Sequence, residues 1–493
     1  MAKGAVWMVL FKLIERSLGL ISTLILARLL VPEDFGLVAM ALSFIIMAEL
    51  LTAFGFDFAL IQNQSKSAMH YNAAWSGNVL LGSAVTLLML LSAAPIAAFY
   101  GKPEVEWIVA CLAFGPMISG LENIGVVAFR MELDFRREFA FQVSRKIIGF
   151  MVVVPLAFWL RNYWSLVAGI LASKLAGTLF SYHMHSFRPT FTLSGLRELI
   201  GFSRWIVLNN AVIFFKERST DFFVGKLFGP AQLGTYNLSY ELANLPSTEL
   251  SAPVNRALVP GFAKMISRQE IESGYGNAVG ALALITLPAA AGIWAVAPFL
   301  VYVLLGTKWL AAIPLIEVLA FNSALLMFHS SMCAILLARG HPAQVTASNA
   351  FYVVFLLTLL AAVGGKLGVM GAALAALLSS VLTTPIYLWH LRRRLGIHVL
   401  VFARALVRPA MSAALMAVVV RSVLPEFSPD IAVAVAAGWL ISGVGIGITA
   451  YVPFAIVMWL LAGRPTGAER IILEKAIPEI RRRLAFPLPR ARK

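Results

Sequence analysis

Arg28-Leu29-Leu30-Val31-Pro32-Glu33-Asp34-Phe35-Gly36 returns 198 positions later as Lys226-Leu227-Phe228-Gly229-Pro230-Ala231-Gln232-Leu233-Gly234. Each copy closes one long apolar run and opens the next. A repeat on that scale implies two related helical bundles. In a chain of 493 residues that is 60% hydrophobic and 13% charged, the bundles belong in a membrane. A soluble fold of this composition, with a mean hydropathy of +0.84, would expose too much apolar surface. Transporters are often built from such repeats, because two bundles can rock about a site between them.

A membrane crossing needs about 20 apolar residues. Working outward from the repeat, fourteen candidate spans emerge: 5–30, 36–61, 73–99, 105–129, 140–160, 163–184, 201–227, 235–260, 276–305, 310–338, 346–364, 368–391, 404–424 and 431–462. The predicted fold is an all-α polytopic membrane protein with two pseudo-symmetric six-helix bundles around a central cavity. Residues 1–184 form the first bundle, 185–199 a cytoplasmic connection and 200–393 the second bundle. Residues 394–462 carry two appended helices, and 463–493 a basic cytoplasmic tail whose apolar positions fall near helical spacing. With six spans in each half, the halves share one orientation and are related by an axis along the membrane normal.

The formal charge of +16 suggests nucleic acid, but its distribution argues against that partner. With the N-terminus placed inside, 26 basic residues fall on cytoplasmic segments, Arg145 and Lys146 among them, and about seven on outer turns. That is the positive-inside pattern, with both termini cytoplasmic. The first apolar run is interrupted by Lys12, Glu15 and Arg16, unlike the core of a cleaved signal peptide. Two cysteines, Cys111 and Cys333, make no disulfide framework and suggest no metal site. A nucleotide-binding phosphate loop is absent from the sequence, and the loops between spans are too short to hold a soluble catalytic domain.

Charged side chains at membrane depth usually face a protein interior or water. In span one, Lys12, Glu15 and Arg16 share a stripe with Gly19 and Thr23. Span seven carries Asn209, Lys216, Glu217, Arg218 and Asp221. Span eight carries a seam of Asn237, Glu241, Asn244 and Asn255, ending at Arg256, and span two adds Glu49. The functional reading is a hydrated cavity lined by spans one, two, seven and eight. Lys12, Arg16, Lys216, Arg218 and Arg256 would hold an anionic head group, since guanidinium suits phosphate. Glu15, Glu49, Glu217, Asp221 and Glu241 would carry a coupling ion or pair with those cations. The structural reading stays open beside it: Glu15 with Arg16, and Glu217 with Lys216 or Arg218, as mutually neutralising pairs, or span-one charges snorkelling to the surface. Glu122 and Glu317 read as packing or span-end groups, and His329 as a helix-contact histidine rather than a proton relay.

The run Ala27 to Gly36, followed by Phe54-Gly55-Phe56 and the polar Gln62-Asn63-Gln64, resembles the polysaccharide transport family of the multidrug/oligosaccharidyl-lipid/polysaccharide exporter superfamily, and within it colanic-acid and succinoglycan-type exporters. The resemblance implies 12 to 14 helices and a bacterial inner-membrane flippase. Such a protein moves a polyprenyl-diphosphate-linked oligosaccharide to the periplasmic leaflet for lipopolysaccharide or exopolysaccharide synthesis. It further implies membrane lipid as surroundings, a polysaccharide polymerase and chain-length proteins as partners, and no cofactor, no metal and no enzymatic step. Two rivals remain. One is a polytopic glycosyltransferase or polymerase, for which Glu33 and Asp34 would supply an acidic pair. The other is a drug/cation antiporter of the same superfamily, whose cavity should be acidic and aromatic.

Overall fold

The computed structural model describes residues 2–50, Phe56, Leu60, 68–196, 204–465 and 467–470. Its regular structure is helical, with no strand among the described residues. The helices are α1 (Ala2–Leu29), α2 (Pro32–Glu49), α3 (Ala68–Tyr100), α4 (Glu104–Leu112), α5 (Phe114–Gly120), α6 (Val127–Met131), α7 (Phe135–Leu160), α8 (Trp164–Met184), α9 (Arg204–Lys264), α10 (Arg268–Leu304), α11 (Ile313–Ala338), α12 (Pro342–Leu359), α13 (Gly365–Leu395), α14 (Val399–Val423) and α15 (Val433–Leu461). Eight helical runs among the described residues are long and apolar enough to cross a membrane, or nine if a bent pair forms one span. The chain is therefore a multi-pass membrane protein.

The helices depart from the expected spans where glycine and proline intervene. Spans seven and eight were expected to flank a loop, but they form α9, broken at one residue, Gly229, with φ 81° and ψ −179°. Only glycine takes that backbone without strain. Pro230 then opens the second half, since its ring suits a first helical turn. Spans eleven and twelve likewise run together through a π turn at Leu360–Gly364 and a break at Gly368, with φ 62° and ψ −148°. Span four is broken into α4, α5, a 3₁₀ turn at Ile124–Val126 and α6, with a bend of 63°.

Two compact units result. The first holds Met1–Leu238, Leu304–Trp309 and Leu360–Ala372. The two repeat copies meet inside it. A Cβ added at Gly36 would lie 1.7 Å from the Pro230 carbonyl oxygen, and one at Gly234 would lie 1.9 Å from that of Pro32. Each glycine thus seats the opening proline of the other copy, a reciprocal contact in which backbone touches backbone. Around it, Arg28 Nε donates to the Leu304 carbonyl at 3.2 Å, Trp309 Nε1 to that of Ala27 at 2.8 Å, and Phe35 packs edge-on to Trp309 at 5.3 Å. The acidic pair of the repeat is structural here. Asp34 accepts the backbone N–H groups of Val31 and Tyr163, both at 3.0 Å, which caps α2 and ties it to the α7–α8 turn. Glu33 lies 3.6 Å from Lys102.

The second unit holds Ser239–Val303, Leu310–Leu359 and Ala373–Lys493. Tyr275, Met327, Phe328, Met332, Tyr387 and Phe402 form its apolar core. Polar bridges cross between helices: Ser247 Oγ donates to the Ser323 carbonyl (2.8 Å), Ser380 Oγ to Asn322 Oδ1 (2.6 Å), and His329 Nε2 lies 2.9 Å from Thr384 Oγ1. In lipid such bonds fix helix register where the hydrophobic effect does not. His329 thus sits at a helix contact, as expected. The appended α14 is pinned by Arg421, which bonds Glu317 of α11 and stacks 4.3 Å above Trp294 of α10. Ile441, Ile448 and Leu461 of α15 are largely exposed, as side chains facing lipid must be.

Candidate functional site

Charge lies within the first unit, partly open, on helices the sequence reading passed over as well as on those it chose. Lys174 Nζ of α8 donates to Glu49 Oε1 at the end of α2 (2.9 Å) and lies 3.4 Å from Ser119 Oγ of α5. Arg145 Nη1 of α7 donates to Glu122 Oε2 in the break between α5 and α6 (3.3 Å). Lys146 Nζ of α7 lies 3.8 Å from Glu15 Oε1 of α1. On α9, Arg218 Nη1 donates to Asp221 Oδ2 at 3.0 Å, with the Asp221 side chain only 4% exposed.

These groups sit deep in their helices. Lys174 is ten residues from either end of α8, about 15 Å at the helical rise per residue. Arg145 is ten residues into α7, and Glu15 thirteen into α1. Arg145 and Lys146 are therefore helical residues of α7. Lys174 and Glu49 keep 25% and 31% of their side-chain surface open, and Arg145 and Glu122 keep 26% and 22%. Charge left open at this depth requires water, because lipid cannot solvate it. The arrangement can bind an anion by exchanging a carboxylate for it, and each cation is held ready by the carboxylate it already has.

Of the expected site residues, Glu15, Glu49, Arg218 and Asp221 join these pairs. Glu15 meets Lys146, and Arg218 meets Asp221. Arg16 and Glu217 are exposed, Lys216 is half-buried and Glu241 is exposed on α9. Asn237 is half-buried, while Asn244 is buried and bonds the Tyr240 carbonyl of its own helix at 2.8 Å. The side chains of Lys12, Asn209, Asn255 and Arg256 lie outside the described residues. Lys174, Arg145, Lys146 and Glu122 were missed as site residues. The signal for Lys174 was present, a lone lysine in the middle of span six. Glu122 was read as a packing or span-end group, and its partner lies 23 positions away in sequence. Beside Asp221, Phe222 packs edge-on to Phe44 at 5.0 Å, and Phe44 to Tyr100 at 5.8 Å, an aromatic cluster on one side of the charges.

The second unit carries a feature of opposite chemistry. An apolar groove of about 430 Å³ runs between α10, α14 and α15, lined by Leu284, Ile293, Met416, Val420, Leu440 and Tyr451 among others. Its walls suit a hydrocarbon chain and offer no site for charge chemistry.

The family model described as "Polysaccharide biosynthesis protein" matches residues 25–314. The chain is 25% identical over 389 residues to the lipopolysaccharide biosynthesis protein WzxC of Escherichia coli (strain K12), covering 77% of this chain and 78% of that protein. It is 26% identical over 454 residues to the succinoglycan biosynthesis transport protein ExoT of Rhizobium meliloti (strain 1021), covering 90% of each. Among solved structures, the fold is similar to the lipid II flippase MurJ in an inward closed conformation, with a TM-score of 0.77 at 13% identity over 92% of this chain and all of that one. It is also similar to an inward-facing multidrug resistance MATE transporter of the MOP superfamily, with a TM-score of 0.57 at 18% identity over 78% of this chain and 94% of that one. The matched model spans more than half of the sequence, from the first repeat copy through the second, and the chain belongs to the polysaccharide biosynthesis protein family.

Proposed function

We propose that this protein is an inner-membrane flippase that carries a polyprenyl-diphosphate-linked oligosaccharide to the periplasmic leaflet for surface polysaccharide assembly. The observation that carries the reading is the set of cation–carboxylate pairs at membrane depth in the first unit, each partly open, in a chain of this family. Lys174, Arg145, Lys146 and Arg218, with Arg16 and Lys216, offset the cost of bringing two phosphate charges into the membrane. Basic loops and both termini face the cytoplasm, which puts the repeat turns, Pro32 and Pro230, at the periplasmic side. Transport follows alternating access, with a polymerase and chain-length proteins acting on the delivered unit, and no bond of the substrate is made or broken in the step.

Glycan analysis of a deletion strain tests this, with complementation by wild type, Lys174→Ala, Arg16→Ala and Arg218→Ala. The reading predicts lost surface polysaccharide, complete lipid-linked units held at the cytoplasmic face, and failed rescue by well-expressed Lys174→Ala. Truncated lipid-linked units would instead mark a glycosyltransferase. An unchanged glycan with new drug sensitivity would mark an antiporter.

A further inference from the structure

Arg408 lies nine residues into α14, within an apolar helix, and both its Nε (2.9 Å) and Nη2 (2.8 Å) contact one carboxylate oxygen of Glu469. Glu469 follows α15, in the first residues of the basic tail, and its side chain is 9% exposed. The neighbouring Ala468 is 4% exposed, and its Cβ lies 3.3 Å from where a Cβ on Gly280 of α10 would stand. The chain leaving α15 thus folds back between α10 and α14 and is held there by a buried ion pair.

The register places this contact at one end of the apolar groove. Gly280 is one turn before the lining residue Leu284, and Arg408 two turns before Met416. Tyr451 of α15 lines the same end, and its buried hydroxyl has no hydrogen-bond acceptor among the described residues. A guanidinium held by a carboxylate, an unused hydroxyl donor and an apolar groove therefore converge. That is the complement of a lipid phosphate with its chain attached.

We propose that Arg408 and Tyr451 bind the phosphate of a lipid whose chain occupies the groove, and that Glu469 holds the site until the lipid arrives. The proposal rests on reading the groove as a chain site. Carboxylate and phosphate compete for the same guanidinium face, and phosphate offers an oxygen to Tyr451 as well. Arg408 exchanges one anion for the other rather than standing buried without either, which would be costly. The exchange releases residues 467–470 from α10, so occupancy of the groove is signalled to the tail.

The test is a titration of the purified full chain in detergent micelles with undecaprenyl phosphate, followed by intrinsic fluorescence. Glu469→Gln should tighten binding about tenfold, the factor expected if the open site is populated at about a tenth in wild type. Arg408→Gln should abolish that gain in the Glu469→Gln background, and Arg408→Lys should keep part of it. A second readout leaves Arg408 intact: Ala468→Cys, in a background lacking Cys111 and Cys333, should resist maleimide in the apo protein and react once lipid is added. Inorganic phosphate alone should release neither signal, whereas phosphatidylglycerol acting equally well supports a general lipid-phosphate site. Unchanged affinity in Glu469→Gln, Ala468→Cys labelling indifferent to saturating lipid, or inorganic phosphate acting as well as lipid would each overturn the proposal. Binding is read without transport, so a strain with unchanged glycan but an intact lipid response would refute the flippase reading alone.

Discussion

Gly36→Ala should open the seam between the repeat turns. The added Cβ would stand 1.7 Å from the Pro230 carbonyl oxygen, and ordinary contact begins near 3.4 Å. The turns of α2 and of the second half of α9 must then separate by more than about 1.5 Å, with no flexible side chain to yield. Forcing a methyl into such packing costs about 1–3 kcal/mol, and backbone against backbone lies at the upper end. About 2–3 kcal/mol corresponds to a factor of roughly 30 to 150 against the closed arrangement. Gly234→Ala, whose Cβ would lie 1.9 Å from the Pro32 carbonyl oxygen, should act equally. The double variant should add little, because one opening relieves both clashes. The assay is labelling of Met40→Cys, one turn along α2 and fully buried, by a membrane-impermeant maleimide applied to vesicles of both orientations, with Cys111 and Cys333 replaced by serine. Labelling should rise in either glycine variant while the protein keeps its size-exclusion profile. Gly19→Ala, with nothing within 4 Å of its Cβ, is the control and should change nothing. Unaltered labelling in Gly36→Ala, with full glycan rescue, would refute the reasoning.

Lys174→Ala removes the 2.9 Å partner of a half-buried Glu49 and should lower stability in detergent by about 1–2 kcal/mol, less than for a fully buried pair because both groups are partly open. Adding Glu49→Gln should recover most of the melting temperature, and no recovery would show that the pair does not act as a unit. Asp34→Ala removes the acceptor of two backbone N–H groups and should cost about 1–2 kcal/mol, while Asp34→Asn, which keeps one oxygen, should cost less. Burial holds His185, which follows α8, below its ordinary value of 6.5, and its Nδ1 accepts the Phe187 N–H. Its contribution is therefore present above that value and lost as pH falls through it. A thermal-shift series from pH 8 to 5 should lose part of its acid-side slope in His185→Asn.

Much of the architecture was legible because lipid imposes a simple rule. Each crossing must satisfy its own backbone, so apolar runs of sufficient length read as helices. The repeat could be read as a mark of two related bundles, since the turn chemistry of Pro32 and Pro230 is local. The same rule hid the breaks. Gly229, the π turn and the bend in span four bring the ends of neighbouring runs together, and hydropathy records no difference between a loop and a kink. The site was read in part. Periodicity marked Glu15, Glu49, Arg218 and Asp221 as charges at depth, but it favoured helices with several polar residues and passed over the single lysine of span six.

The residue pattern along one helix says which side chains share a face, because that follows from 3.6 residues per turn. It carries no information about which helix that face will meet. Membrane depth, charge and the repeat are one-dimensional properties and were present in the order of the amino acids. The meeting of Lys174 with Glu49, 125 positions away, and of Arg408 with Glu469, 61 positions away, depends on how helices pack. So does the seating of each repeat glycine on the other copy's proline. Packing in lipid is settled by close approach and a few polar contacts rather than by burial of apolar surface, so those contacts emerge only once the chain has folded.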